Sequence, residues 1–126
     1  MRIKVIVLGI LLGAGANALA QDFKASELRV IGEGRAVYLA QCTGCHGWEG
    51  RGSSADPGLV GPNLRQIAQR DGAFSRLDVR AHLAFGVSHS PTAMPAFDID
   101  RSVGTRLGTL KVIRYVEFLQ EPPVTH

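Results

Sequence analysis

Aromatic residues are scarce in this chain, making up 6% of its 126 residues. Aromatic side chains supply the largest apolar areas a core can use, so a domain of this size builds a lean core from its own side chains. Lysine is scarce too. Beyond Lys4 there are only Lys24 and Lys111, and the other cations are arginines dispersed along the sequence. Without a polybasic block, the electrostatic footprint of a nucleic-acid-binding protein is missing. No segment alternates apolar and polar residues in the way a strand requires, which argues against a sheet. The glycines around Trp48 are not followed by Gly-Lys-Ser/Thr, so they form no phosphate loop.

Cysteine occurs only as Cys42 and Cys45, separated by Thr43 and Gly44. A disulfide across so short a loop restrains the unfolded chain little. A structural zinc site needs four ligands. His82 and His89 have six residues between them, outside the usual spacing of a paired-histidine zinc site.

What is present begins with the N-terminus. Arg2 and Lys4 precede an unbroken apolar run from Val5 to Ala16, and Ala18-Leu19-Ala20 offers a small-x-small cleavage site. This is the layout of a secretory signal peptide over residues 1–20, with an uncleaved membrane anchor as the alternative. The run is shorter than the roughly 20 residues of a membrane-spanning helix, and no later segment is apolar enough to span. Cleavage after Ala20 leaves residues 21–126 as a single domain, with 12 Lys and Arg against 11 Asp and Glu. Hydrophobic residues, at 45% of the chain, are too many for disorder.

Helical patterning then dominates. Val30, Gly34, Val37, Tyr38 and Gln41 share one helix face, so the spacing predicts a helix from Ser26 that runs into Cys42. Five glycines and two prolines make Gly47 to Pro62 irregular. Leu64, Ile67 and Ala68 suggest a short helix closed at Asp71-Gly72. Ser75, with Asp78 three residues on, opens another that turns Val79, Leu83 and Ala84 inward and stops at Gly86. Ser88 to Phe97, broken by Pro91 and Pro95, reads as loop. A last helix aligns Val112, Tyr115, Val116 and Leu119 and ends before Pro122-Pro123, its start obscured by Gly104 and Gly108. The expected fold is all-α, three to five helices joined by long loops.

Cys42-Thr43-Gly44-Cys45-His46 carries the chemistry. Two thiols three positions apart at a helix end can bond the two vinyl groups of one haem, and the adjacent histidine can reach the iron. A thioredoxin-like redox pair also uses Cys-x-x-Cys but sits in a βαβ setting that this sequence lacks. A haem would also hold loops of such length in place.

On these residues the chain resembles a class I c-type cytochrome of the monohaem, bacterial periplasmic type. The motif lies too near the N-terminus for a cytochrome of the c-prime type. The resemblance implies one covalently attached haem c, with its iron, in a small cytochrome c fold. Gly61-Pro62-Asn63-Leu64 is similar to the family segment whose proline carbonyl accepts a hydrogen bond from the proximal histidine, which would make Pro62 the partner of His46. Ala93-Met94-Pro95-Ala96-Phe97 is similar to the axial-methionine segment. With Met1 removed, Met94 is the one methionine left, and it lies in a loop rather than at a periodic core position. His46 and Met94 are thus the expected iron ligands, with His89 the rival to Met94 and His82 read as a partly exposed structural histidine. In the family a glycine and an aromatic at the spacing of Gly34 and Tyr38 let the first helix cross the last, against an aromatic that Tyr115 would match.

There are departures. Asp98, Asp100, Arg101 and Gly104 occupy a stretch where a simpler helix start is usual, and the lysine-rich face of mitochondrial relatives is absent. Trp48 packs on the haem or lies exposed; its neighbours do not decide which. The expected function is a periplasmic single-electron carrier, not an enzyme, serving periplasmic or membrane redox proteins. No small-molecule substrate is expected, because two axial ligands leave no open iron site. The alternatives are a fixed cytochrome subunit of a periplasmic dehydrogenase complex, favoured by a large exposed apolar patch, and a sensor or peroxidase-like protein with an open sixth site.

Overall fold

The computed structural model describes residues 2–88, 93–97 and 107–122. Helix α1 spans Arg2–Gln41, 40 residues, and starts far earlier than Ser26. The first proline of the chain is Pro57, so no proline interrupts the helix from Arg2 onward. No helix among the described residues is long and apolar enough to cross a membrane. One turn, α2 (Thr43–His46), follows directly.

A 3₁₀ turn over Leu64–Gln66 leads into α3 (Ile67–Asp71). Asn63 caps it, its side-chain oxygen accepting from the Arg65 N–H at 2.9 Å. Gly72 ends it at φ 82°, the left-handed conformation glycine adopts without a Cβ penalty. Helix α4 (Arg76–Phe85) starts at Ser75, whose hydroxyl accepts from the Asp78 N–H as the sequence predicts, and stops at Gly86. Helix α5 (Gly108–Phe118) follows. Among the described residues there is no strand, only an isolated bridge between Val87 and Met94. The all-α expectation holds.

The core forms where α1, α4 and α5 meet. Val37, Tyr38, Leu83, Val112, Ile113, Tyr115, Val116 and Leu119 are buried together with Ile67. Ala84, expected inward, is exposed instead. It stands one position past Leu83, so a helix that buries Leu83 turns Ala84 about 100° away.

Gly34 sets the approach of α1 to α5. A Cβ there would stand 2.0 Å from the Lys111 carbonyl oxygen, so only a glycine lets the two backbones come this close. One turn on, the Tyr38 and Tyr115 rings pack with centroids 5.3 Å apart at 55°. The Gly34, Tyr38 and Tyr115 arrangement expected from the resemblance is therefore present. Ion pairs from Lys111 to Glu33 (2.6 Å) and from Arg114 to Glu27 flank the contact.

The chain after α5 is tied back across the fold. Gln120 donates to the Leu64 carbonyl at 2.7 Å and accepts from the Ala68 N–H. The Glu121 carboxylate meets Arg65 at 2.9 Å and Arg51 at 2.7 Å.

Candidate haem site

The turn from Cys42 to His46 continues the course of α1. The Cys42 N–H bonds to the Tyr38 carbonyl (2.8 Å) and the His46 N–H to the Cys42 carbonyl (2.9 Å). Cys42 and Cys45 lie three apart on this helical path, so their side chains share a face. Both cysteines are free; Cys42 is half-buried and Cys45 exposed. Burial pushes the Cys42 thiol up to about 11. The reactive thiol of a redox Cys-x-x-Cys pair has a depressed value, so the environment of Cys42 does not suit thiol exchange.

His46 is buried, at 7% exposure. Its Nδ1 lies 3.0 Å from the Pro62 carbonyl oxygen. A carbonyl can only accept, so Nδ1 carries the hydrogen and Nε2 keeps its lone pair. Burial lowers the pKa of this imidazole against the opposing pull of the Pro62 bond, which favours the neutral ring. A neutral histidine with one nitrogen committed to a carbonyl is the form that binds a metal.

The loop over 47–62 delivers Pro62 to that position. The Gly61 N–H bonds to the Cys45 carbonyl (2.8 Å), the Ser53 N–H to the Gly61 carbonyl (2.9 Å) and the Leu64 N–H to the Gly50 carbonyl (2.7 Å). The Tyr38 hydroxyl donates to the Gly47 carbonyl at 2.7 Å. Gly61 is a site residue that the sequence reading did not single out. A Cβ there would lie 2.6 Å from His46 Nδ1 and 2.7 Å from the Cys45 carbonyl oxygen.

Met94 arrives on a short strap, 93–97. Its N–H and C=O pair with Val87 at 3.0 and 2.8 Å, and the Phe97 N–H reaches the Leu83 carbonyl at 2.8 Å. Gly86 makes room: at φ 71° its absent Cβ would fall 2.5 Å from the Met94 carbonyl oxygen.

His46, Met94 and Cys42 line one cavity with Tyr38, Leu64, Ile67, Val79, His82, Leu83, Val112, Ile113 and Val116. Its enclosed volume is about 70 Å³. Cys45 is not among the lining residues. A larger hollow lies between α4 and the start of α5, lined by Arg80, Ala84, Ala96, Phe97, Leu107, Thr109 and Leu110. None of those side chains is a ligand for iron, so the smaller cavity is the one whose donor set fits a haem: imidazole and thioether over apolar walls. His82, expected to be a partly exposed structural histidine, is exposed and also lines this cavity. Trp48 is 75% exposed and not among the residues lining it. His89 and the stretch 98–106 lie outside the described residues.

An all-α chain that brings an imidazole and a thioether to one apolar cavity presents donors that suit a haem iron. The Cytochrome c family profile matches residues 31–106, more than half of the chain. The chain belongs to the cytochrome c family, as a class I c-type cytochrome that carries covalently attached haem c and transfers electrons. No curated protein and no solved structure gives a significant match.

Proposed function

We propose that the chain is exported to the periplasm and works there as a single-electron carrier, its haem bonded to Cys42 and Cys45 and its iron held between His46 and Met94. The observation that supports this most is the meeting of His46 and Met94 at one apolar cavity, each brought there by a separate set of backbone hydrogen bonds. When bound, haem supplies an iron that gains or loses one electron. The protein residues do the rest. Pro62 fixes the His46 ring and its tautomer through Nδ1–H. The Val87 pairing fixes the backbone of Met94, whose soft thioether favours ferrous iron and raises the potential. Val79, Leu83, Val112, Ile113 and Val116 exclude water and so lower the local dielectric.

The test is optical. The purified holoprotein should keep its haem through denaturation and organic extraction, and the ferric form should show the weak near-infrared absorption of a sulfur-to-iron bond. Met94→Ala should remove that absorption and lower the potential; His89→Ala should leave both as they are. A bare polypeptide mass after periplasmic expression, or a near-infrared band that survives in Met94→Ala, sinks the assignment.

A second reading has one observation in its favour. The hollow beside α4 and α5 is edged by apolar Ala84, Phe97, Leu107 and Leu110, and Phe85 next to it is 85% exposed. Such a surface suits a cytochrome subunit fixed in a periplasmic dehydrogenase. Gel filtration of a native extract separates the two: a carrier elutes near its own mass, a subunit with a larger oxidoreductase.

A further inference from the structure

We propose that His82 is a reserve axial ligand, which takes the sixth iron position when Met94 leaves it. The proposal rests on the haem site described above and adds a residue to it.

Val79, His82 and Leu83 lie three and four positions apart on α4 and together line the haem cavity. The Met94 strap is fastened to the same element. Val87, two residues past α4, pairs with Met94, and Phe97 bonds to the Leu83 carbonyl. His82 and Met94 therefore belong to one wall, while His46 is held by α2 and the loop through Gly61 and Pro62.

Among the described residues the His82 imidazole makes no hydrogen bond and no ion pair. The Asp71 carboxylate is already bonded to Arg70 at 2.8 Å. The His82 side chain is exposed while lining the cavity, so no contact with a described residue has to break before a ring nitrogen bonds elsewhere.

The two candidate ligands differ in how firmly they are held. Among the described residues three backbone hydrogen bonds hold the strap. Helix α4 is secured by Leu83 in the core and by the Arg76–Glu117 ion pair to α5 at 2.8 Å. The strap can detach while α4 stays in place. The exchange breaks the bond from the Met94 sulfur to iron and forms one from a His82 ring nitrogen. Thioether and neutral imidazole are both uncharged donors, so no electron is transferred, and a protonated ring first releases its proton to water. The potential falls, because imidazole does not favour ferrous iron as thioether does.

The experiment uses ferric holoprotein. Met94→Ala should lose the near-infrared sulfur band yet remain low-spin, with the magnetic resonance pattern of two imidazoles. Met94→Ala combined with His82→Ala should turn high-spin. It should also bind added imidazole at least about tenfold more tightly than the single variant, the factor expected when an internal ligand occupies nine-tenths of the sites. A high-spin Met94→Ala that binds added imidazole as tightly as the double variant overturns the reserve role, while the native sulfur band leaves the Met94 assignment intact. Loss of the low-spin state through His89→Ala in the Met94→Ala background also overturns it. If His82→Ala alone removes the native low-spin spectrum, His82 is the resident ligand and both assignments fail. Should Met94→Ala not fold, warming the native ferric protein gives the same information. The sulfur band should fade into a second low-spin form in the native protein and into a high-spin form in His82→Ala; a high-spin form in both overturns the proposal.

Discussion

At the scale of single residues the site depends on what glycine leaves out. The space a Gly61 Cβ would occupy is taken by the His46 ring on one side and the Cys45 carbonyl on the other. Neither can yield easily, since the carbonyl is bonded to the Gly61 N–H and the ring to Pro62. Gly61→Ala should therefore cost about 1–3 kcal/mol, the usual penalty for overpacking. It should also perturb the spectrum by tilting His46. Pro62→Ala keeps the acceptor carbonyl and should stay within about 1 kcal/mol of the native chain. Denaturant titration of the two holoprotein variants checks the contrast, and equal midpoints would show that the ring does not depend on this packing. Cys42, Cys45, His46 and Pro62 were legible because ligand chemistry demands adjacent residues or a short fixed segment. Gly61 and Gly86 were placed in a motif and at a helix end, but the close approaches they permit were not legible, because their neighbours His46 and Met94 arrive across the fold. Helical spacing put His82 beside Leu83 as a partly exposed residue, and it is exposed, but spacing alone does not say that it also lines the cavity.

At the scale of elements, capping signals were read correctly and lengths were not. Ser75 and Gly72 do what local backbone chemistry requires of them, whereas α1 outran its predicted start because no proline or cap stops it. Ser75→Ala should cost about 1 kcal/mol, the typical loss of an N-cap oxygen. A melting temperature unchanged by that substitution would mean that packing alone holds α4. The clamp behind α5 gives a pH prediction. The hydrogen bond from Arg65, and then Arg51, holds the Glu121 carboxyl below its ordinary value. A depressed folded value stabilises the fold above the ordinary carboxylate pKa and ceases to do so as pH falls through the lowered one. The clamp therefore acts at neutral pH and is lost in acid. The melting temperature of Glu121→Gln should lie below that of the native protein at about pH 6 and converge on it toward about pH 3. A gap that stays constant across that range would mean the carboxylate charge is not what ties the terminus down.

For the whole molecule, the question is how much of α1 the cytochrome domain needs. The contacts that hold α1 to α5 begin at Glu27, paired with Arg114, and continue through Glu33, Gly34 and Tyr38. The buried core starts only at Val37. Residues 15–26 are exposed throughout, Leu19 and Phe23 among them at 72% and 74%. A cut between Ala20 and Gln21 would thus remove no described contact between α1 and the rest of the fold. It would also take away Arg2 and Lys4, bringing the formal net charge from +3 to +1. Two haem propionates then leave the holoprotein near neutral, so partner encounter would depend on local patches rather than net charge. The expected outcome is a periplasmic holoprotein whose mass matches residues 21–126 plus one haem. Its melting temperature should match that of an unprocessed chain loaded with haem to within a few degrees, because exposed residues outside the core contribute little. N-terminal sequencing and intact mass settle the cut, and paired melts settle the energetics. Met1 retained in the membrane fraction would mean that α1 is an anchor. A large loss of stability on processing would mean that residues before Gln21 pack on the domain.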